Sequence, residues 1–530
     1  MGFKKIAAFL LSSVLLVNGL GGCGQAEKQP PTGGSSADAA KQLSTEEAAI
    51  EERKASGEYP TVVMAFPTWE GRPKGADRIQ ELLSAYAKEK IGVGVELEIM
   101  DIGSYAQNMT LMLSGGEQVD IFNVMNLGYS PMVTKGYCMD LEEDDLIQNY
   151  GAGILETLDP VYIKASRIGG RLYGLPQLKD IALGIGRYCV PTRFLDGIGY
   201  DYKSMSQEGE ECIKTDIKTV NDIYAKLHEA YPDMFVFAPN KTTHVRNSLL
   251  YDDIGGDTFG VLMDPENSLE VTNLYESKAF LDVCKQFYNW NKLGYISQDA
   301  LTETTTPQSQ IIAGRAMSHL TSWKPGAKSE QVTACNEDVV LFQVLGDFTK
   351  SGAVTTYNWC INSGCEDPVA AIQFLNLLYT DAYAASLLCY GEENVDYIKN
   401  EDGFLDYPKG VDATTSEYTH GMFWLFPNQY IGGVQVGKPA DIYEQIVKFN
   451  KEAPVSKALG FSFDNSAVMS EYTTLTNVYN EYINQIMLGF VEPEEALKEM
   501  NDKLYASGLE KYMAAKQEAL NKWAEENKIE

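Results

Sequence analysis

The chain has 530 residues, of which 44% are hydrophobic and 11% aromatic, and its formal net charge is −31 at pH 7. The electric field of such an acidic protein repels phosphate backbones, so nucleic acid is excluded as an expected partner. A chain of this length exceeds what one compact core accommodates, and we expect at least two lobes.

The first residues have the pattern of an export signal. Lys4 and Lys5 precede an apolar run over residues 6–17, which is too short to span a bilayer as a helix. The run leads to Leu20-Gly21-Gly22-Cys23, which is similar to a bacterial lipobox. The similarity implies that residues 1–22 are a lipoprotein signal peptide and that Cys23 carries the lipid, on the outer face of the cell membrane. A plain secretory signal is the alternative.

The stretch after the lipobox has low hydrophobicity. Residues 25–38 are rich in Pro, Gly and Ser, and an Ala/Glu/Lys-rich piece continues to Gly57. Such a composition buries too little apolar surface to offset the entropy lost on ordering. We therefore predict a flexible tether over residues 23–58, with the folded body starting near Tyr59.

The remaining cysteines and the histidines show no metal-site spacing. Eight cysteines follow Cys23 at irregular intervals without a CxxC pair, and four histidines are scattered without HExxH. This pattern favours buried free thiols, with disulfides or metal ligation as the alternatives for the cysteines. The sequence predicts neither a metal site nor a cofactor. The histidines are His228, His244, His319 and His420.

The first third of the body alternates between strand and helix patterns. Apolar runs predict strands at 61–66, 93–102 and 119–123, and helical spacing of apolar residues predicts helices at 76–90 and 104–113. This order predicts a parallel sheet with helices on its faces, in which ligands bind beyond the carboxyl ends of the strands.

Further strands and a helical end follow. The loops at the predicted ligand edge are 67–75, 103–105 and 123–130. Later strand patterns cover 171–176, 180–190, 316–323 and 339–345, and helical patterns cover 442–450, 473–487, 493–506 and 509–523. Pro493 followed by Glu494 and Glu495 is typical of a helix start.

Several motifs in this order resemble extracellular solute-binding lipoproteins of ABC importers. They are the segments 119–122, 136–141, 170–176, 367–381 and 504–512, besides the lipobox and tether. Segment 170–176 is similar to that family's G-x-x-Y-G-(L/I)-P motif. Segment 391–397 resembles another family motif, although Asn394 stands where a glycine is usual. Each motif alone is weak, whereas their order is fairly specific.

The resemblance implies a fold class and a function. The fold is α/β, two-lobed and periplasmic-binding-protein-like, with hinge strands and a mostly helical C-terminal portion. We expect lobe 1 at 59–185 plus about 308–360, and lobe 2 at about 186–307 plus 361–530. The family implies that a monomer captures an oligosaccharide between its lobes and delivers it to ABC permease subunits. A peptide or another organic solute is the alternative ligand.

The candidate ligand-binding residues are aromatic, acidic and amide side chains near the expected cleft. Aromatic faces cover the C–H surfaces of sugars, and carboxylates and amides bind their hydroxyls. Packing in the protein core or an exposed polar face is the alternative for each residue. The candidates are Trp69, Glu70, Asn123, Asn126, Tyr129, Trp323, Trp359, Glu392, Glu393 and Trp424.

Two other function classes stay open. A surface enzyme that degrades glycans could use Glu70 with Glu392 or Glu393 as its carboxylate pair. An adhesin or signalling module without a small ligand is the third class. A nucleotide site is excluded, because Pro439 stands where a phosphate-binding loop requires Ser or Thr.

Overall fold

The computed structural model describes residues 44–239, 247–413 and 415–529. The predicted signal peptide, Cys23 and residues 23–43 of the predicted tether lie outside these residues. No helix among the described residues has the length and apolar character needed to cross a membrane.

The described chain forms these regular elements. The strands are β1 (Thr61–Thr68), β2 (Gly94–Asp101), β3 (Ile121–Asn123), β4 (Arg167–Ile168), β5 (Arg171–Leu172), β6 (Leu183–Pro191), β7 (Cys212–Lys214), β8 (His319–Trp323), β9 (Val339–Gln343), β10 (Asp347–Phe348), β11 (Trp359–Ile361), β12 (Ile398–Lys399) and β13 (Leu405–Asp406). The α-helices are α1 (Thr45–Ser56), α2 (Ala76–Ile91), α3 (Ile102–Gly115), α4 (Tyr129–Thr134), α5 (Leu146–Tyr150), α6 (Ala152–Thr157), α7 (Pro160–Ala165), α8 (Thr192–Gly197), α9 (Ile217–Ala230), α10 (Lys278–Lys292), α11 (Pro307–Ile312), α12 (Ala327–Cys335), α13 (Pro368–Thr380), α14 (Ala382–Tyr390), α15 (Ile442–Glu452), α16 (Met469–Met487), α17 (Pro493–Ala506) and α18 (Leu509–Asn527).

The first lobe is built on a four-stranded sheet in the order β11-β3-β1-β2. β1 pairs in parallel with β2 and β3, as the β-α-β-α-β pattern predicted, whereas β11 runs antiparallel to β3. Successive side chains of a strand point to opposite faces. Met64 and Phe66 therefore join the core with α2, α13 and α14, and Ala65 joins the core with α3 and α4.

The second lobe is built on a five-stranded sheet. Its order is β10-β6-β9-β7, and β8 also pairs with β6. The main core of this lobe packs side chains of β6 and β9 against α9, α10 and the C-terminal helices α16, α17 and α18. α17 begins at Pro493, as predicted, and the Glu492 side chain accepts a hydrogen bond from the Glu495 N–H.

The division of the chain between the lobes differs from the predicted boundaries. The assignment of 308–360 to the first lobe is wrong for β8 and β9, because both pair antiparallel with β6. The assignment of 361–530 to the second lobe is wrong for α13 and α14, because their apolar side chains pack in the core around β1. Each apolar segment could pack on either sheet, and strand pairing rather than local pattern decides which.

Three segments connect the lobes. They are residues 179–182, 349–358 and 429–456, which lie close together: Thr349 bridges to Val455, and the Asn450 side chain accepts hydrogen bonds from the N–H groups of Ile181 and Ala182. Close packing here requires glycine at position 460, where φ is +92° and a Cβ would lie 2.3 Å from the Ala165 carbonyl oxygen.

The last part of the predicted tether is a helix. Ser44 caps α1 through the Glu47 N–H, and the Glu47 side chain in turn accepts from the Ser44 N–H, which is a capping box. Arg53 Nη1 donates to the Ile91 carbonyl at 3.1 Å, and Asn376 Nδ2 donates to Glu46 at 3.2 Å. The prediction of a flexible tether is therefore wrong for residues 45–56, which dock on the first lobe.

Candidate functional site

The connecting segment 179–182 brings two aromatic groups to the junction of the lobes. The Asn450 side chain fixes this segment, because its Nδ2 donates to the Lys179 carbonyl at 2.7 Å in addition to the two bonds that its Oδ1 accepts. Lys179 and Asp180 are both only partly exposed. Burial lowers the pKa of the Lys179 ammonium, Asp180 opposes that effect, and Lys324 adds to it.

The first aromatic group consists of Tyr357 and Trp424. Their ring centroids are 5.0 Å apart with an interplanar angle of 66°, an edge-to-face arrangement. Lys179 Nζ lies 4.7 Å from the Trp424 ring centroid and 5.2 Å from that of Tyr357. Both rings remain partly exposed. This group therefore offers apolar ring surface beside a cation.

The second aromatic group consists of Trp323, at the end of β8, and Phe449 of α15. Their centroids are 5.0 Å apart with an interplanar angle of 86°. The buried Arg187 guanidinium lies 5.5 Å from the Trp323 ring centroid, and Trp323 Nε1 donates to Glu211 at 2.8 Å. Phe449 is buried, whereas Trp323 is partly exposed. The indole is thus held in place on several sides.

Asp180 connects the two groups electrostatically. Its Oδ1 lies 3.5 Å from Nζ of Lys324, the residue next to Trp323. Oδ1 is buried, and no group of the described chain donates a hydrogen bond to it. A buried carboxylate oxygen without a donor is unfavourable by about 1–3 kcal/mol. A hydroxyl or amide donor of a ligand would therefore be stabilised at this position.

Three predicted site residues lie exposed at the ligand edge of the first sheet. Trp69 and Glu70 directly follow β1, and the Trp69 side chain is 52% exposed and lies against Gly421. Asn126 follows β3, is exposed, and adopts a left-handed backbone with φ of 61°. These positions agree with the rule that ligand loops follow the carboxyl ends of parallel strands.

Three other predicted site residues are buried, and their contact with a ligand stays a prediction. Asn123 donates to the Tyr357 carbonyl and accepts from the Met125 N–H, and Tyr129 donates to the Ser166 carbonyl at 2.6 Å. Trp359 is 0% exposed and donates to the Leu425 carbonyl at 2.9 Å. Their polar atoms form hydrogen bonds inside the first lobe.

The two predicted glutamates are engaged in ion pairs. Glu392 lies 2.7 Å from Arg78, which also pairs with Asp396 at 2.9 Å, and Glu393 lies 3.4 Å from Lys399. These pairs belong to the loop after α14, and no contact with either aromatic group is present among the described residues. The structure therefore brings Trp323 and Trp424 to the lobe junction and leaves Glu392 and Glu393 in a separate loop.

The sequence-based prediction missed Tyr357, Lys179 and Asp180. A signal was present, because Lys179 and Asp180 lie at the start of the predicted strand 180–190, which spans the predicted lobe boundary at residue 185. Tyr357 carried no local signal. Its position depends on the return of the chain from β10 to β11, which is a non-local property.

A cavity lies in each lobe of the described chain, and the lining of the second includes Glu211, which accepts the hydrogen bond of Trp323 Nε1. One, of about 220 Å³, is lined by first-lobe residues that include Tyr390, Tyr407 and Tyr418. The other, of about 350 Å³, is lined by second-lobe residues that include Tyr202 and Lys203. The first is below the roughly 300–1,000 Å³ of typical ligand sites, and the second is at the lower end of that range.

Comparison with known proteins gives matches along nearly the whole chain. Residues 457–525 match a domain of unknown function, DUF3502. A carbohydrate ABC transporter substrate-binding protein of Streptococcus pneumoniae serotype 4 is 24% identical over 506 residues, which cover 96% of this chain and 95% of that protein.

Solved structures are similar in fold. The crystal structure of the N-glycan transport solute binding protein NgtS from Streptococcus pneumoniae has a TM-score of 0.74 at 23% identity, with 88% of this chain and 99% of that chain covered. The same protein in complex with Man1GlcNAc gives 0.66 at 22% identity, with 88% and 100% covered. The predicted α/β fold is confirmed: this chain has the two-lobed fold of extracellular solute-binding proteins.

Proposed function

We propose that the chain is the substrate-binding protein of an ABC importer, which captures an oligosaccharide between its lobes and delivers it to the permease. The observation that carries this proposal is the junction itself, where Trp424 lies against Lys179, Trp323 precedes Lys324, and the Asp180 oxygen that pairs with Lys324 lacks a hydrogen-bond donor. The similarity to a carbohydrate ABC transporter substrate-binding protein and to an N-glycan transport solute binding protein supports the same ligand class.

The physical chemistry of the junction suits a neutral, hydroxyl-rich ligand. Indole and phenol rings cover the C–H faces of pyranose rings, and a carboxylate accepts hydrogen bonds from sugar hydroxyls. Binding between two connected lobes allows closure over the ligand and later release. We expect capture without turnover, because importers need the solute intact.

The remaining parts of the proposal concern the anchor and the assembly. We propose that Cys23 carries a lipid that holds the protein on the outer face of the cell membrane, and that the protein acts as a monomer. The lipobox-like segment 20–23 supports the anchor. At roughly 0.8 kcal/mol per buried CH₂, two or more acyl chains hold a protein stably at a bilayer.

The test is a thermal-shift and calorimetric screen of the chain against mannose- and N-acetylglucosamine-containing oligosaccharides, other glycans and short peptides. A ligand at 100 times its Kd stabilises a protein by about 2.7 kcal/mol, which raises Tm visibly. We expect one glycan class to raise Tm, and chromatography to show the glycan unchanged after prolonged incubation. A response to peptides alone would overturn the oligosaccharide assignment, and hydrolysis products would overturn the transport assignment.

Matched variants locate the site. We expect Trp424→Ala and Trp323→Ala each to weaken glycan binding at least tenfold, because each removes a ring face at the junction. Tyr383→Ala is the control, since Tyr383 is an aromatic residue of the first lobe that is 48% exposed and packs against Tyr86. Equal affinities of all three variants would place the site elsewhere.

A further inference from the structure

Three soft donor side chains meet inside the second lobe. They are Cys189 of β6, His319 of β8 and Cys335 at the end of α12, and their ligand atoms all lie within 4.8 Å of one another. All three residues are buried, with 0%, 1% and 2% of their surfaces exposed. Cys189 and Cys335 belong to an apolar cluster separate from the main core of the lobe, and His319 is opposite Cys189 on the same face of the sheet.

Regular secondary structure, rather than a bond among the three side chains, brings these residues together. Cys189 and His319 are directly opposite each other in the antiparallel pair of β6 and β8. α12 connects β8 to β9, and its last residue, Cys335, packs in the same apolar cluster as Cys189 and Leu341. The donors are therefore fixed by regular elements, as stable metal sites require.

One of the donor side chains, His319, has a ring nitrogen that lacks a hydrogen bond. The Nε2 atom of His319 is buried, and no hydrogen-bond partner for it exists in the described part of the chain. A buried ring nitrogen without a partner is unfavourable. The side chains whose ligand atoms approach that of His319 are the Cys189 and Cys335 thiols.

We propose that Cys189, His319 and Cys335 bind a thiophilic divalent cation, with Zn²⁺ as the expected ion. Two thiolates and an imidazole are a donor set that zinc prefers. Zinc bonds of about 2.3 Å to sulfur and 2.0–2.1 Å to nitrogen put tetrahedral donors about 3.6–3.8 Å apart. Since the ligand atoms lie within 4.8 Å of one another, binding needs a contraction of at most about 1.2 Å.

The proton balance of metal binding and the fourth ligand of the ion follow from this donor set. Binding releases the two thiol protons to solvent, and the two thiolates neutralise the charge of the ion. The fourth position falls to water. Glu337 is committed elsewhere, because its carboxylate lies 2.7 Å from Arg193.

A metal ion at this site would also affect the lobe junction. β8 runs from the ligand His319 to Trp323, so a metal that ties β6, β8 and α12 together would stiffen the strand that presents this indole. This inference does not depend on the identity of the solute. Metal binding and glycan binding are measured separately, and either can fail alone.

The test begins with the unaltered chain, purified under reducing conditions and stripped with a chelator. Titration with Co²⁺ should produce the near-ultraviolet band of thiolate-to-cobalt charge transfer at one equivalent per chain, and Zn²⁺ should abolish the band by displacement. Zn²⁺ should also raise Tm. A cobalt spectrum without thiolate bands would overturn the proposal, and this readout requires no variant to fold.

Variants then assign the ligands. Cys189→Ser and His319→Gln should each lower the affinity for Zn²⁺ at least tenfold. Cys284→Ser should leave it unchanged, because Cys284 is an equally buried cysteine of the same lobe that packs near Met487. Unchanged zinc affinity in both ligand variants would overturn the proposal. So would thiol counting that finds Cys189 and Cys335 joined as a disulfide in protein isolated without reductant.

Discussion

At the scale of single residues, His420 is a buried imidazole that the first lobe keeps neutral. Its Nε2 lies 3.2 Å from the Leu388 carbonyl oxygen, and the Met422 N–H donates to its Nδ1 at 3.2 Å. An acceptor at Nε2 and a donor at Nδ1 fit the neutral tautomer with its proton on Nε2. Burial lowers the pKa of His420 to about 4, and the hydrogen bonds to the Leu388 and Cys389 backbone oppose this.

Acidification should therefore destabilise the first lobe through His420. The unfolded chain binds a proton at His420 below about pH 6.5, whereas the folded chain does so only below about 4, so stability falls as the pH falls through this range. A difference of this size corresponds to about 3 kcal/mol. Denaturant unfolding at several pH values between 7 and 4 measures it, and His420→Gln should flatten the slope.

Tyr418→Phe is the matched control for this slope. The Tyr418 hydroxyl donates to the same Leu388 carbonyl at 2.9 Å, so the substitution removes a hydrogen bond there without removing the imidazole. Burial raises the pKa of Tyr418 well beyond the tested range. We expect Tyr418→Phe to lower stability by a similar amount at every pH. An unaltered slope in His420→Gln would contradict the assignment.

The sequence predicted the kind of side chain at the lobe junction better than it predicted which individual residues lie there. Tryptophan was expected at the solute site, and Trp323 and Trp424 do lie at the lobe junction. Trp359 is as aromatic and as near the end of a predicted strand, yet its ring packs on Phe66 and Phe426. Exposure depends on which elements cover a ring, and the sequence around Trp359 does not contain that information.

At the scale of elements, α1 shows how a short motif can outweigh composition. The Ala/Glu/Lys-rich composition of residues 39–56 predicted a tether, but the same residues are strong helix formers once a partner surface is present. Ser44 and Glu47 supply the capping box, and Ile50 packs against the core of the first lobe. The Ser-x-x-Glu spacing was a usable sequence signal for this helix start.

Ser44→Ala should loosen α1 without disturbing the rest of the first lobe. Loss of the cap removes the acceptor for the Glu47 N–H and costs about 1 kcal/mol. Hydrogen exchange followed by mass spectrometry should show roughly fivefold faster exchange in peptides of residues 45–56. Glu51→Ala, an exposed change in the same helix, is the control. Equal exchange in both variants would mean that the cap does not limit opening of α1.

Local periodicity predicted the elements, and non-local pairing decided their partners. The strand at 61–66 and the helix at 76–90 correspond closely to β1 and α2, because period-two and helical spacing are properties of short windows. β8 was predicted as a strand and assigned to the wrong sheet. Its partner β6 lies more than a hundred residues earlier, beyond the range of any local pattern.

At the scale of the whole molecule, Asn450 connects two of the three segments that join the lobes, 429–456 and 179–182. Its side chain bonds to three backbone groups of residues 179–182, and the neighbouring Phe449 packs on Trp323. Segments that cross between lobes need such contacts to keep the lobes in a defined relation while still allowing hinge motion.

Asn450→Ala should soften the connection between the lobes. The substitution leaves the N–H groups of Ile181 and Ala182 without their acceptor, which should lower the free energy of unfolding by roughly 1–3 kcal/mol. We also expect a larger radius of gyration in solution scattering of the ligand-free chain. Gln445→Ala, which removes a partly exposed side chain of the same helix that bonds to Asp441, is the control. Unchanged scattering in the Asn450 variant would contradict a hinge role.

The interleaving of the chain between the lobes also constrains its biosynthesis. The second core combines β6 and α9 with Leu509, Tyr512 and Leu520 of α18, so it stays incomplete until the last helix has left the ribosome. Residues 457–525, which match the domain of unknown function DUF3502, supply helices to that core and so do not form a separate unit. A nascent chain therefore stays partly unfolded until synthesis is nearly complete, which exposes it to proteases if synthesis stalls.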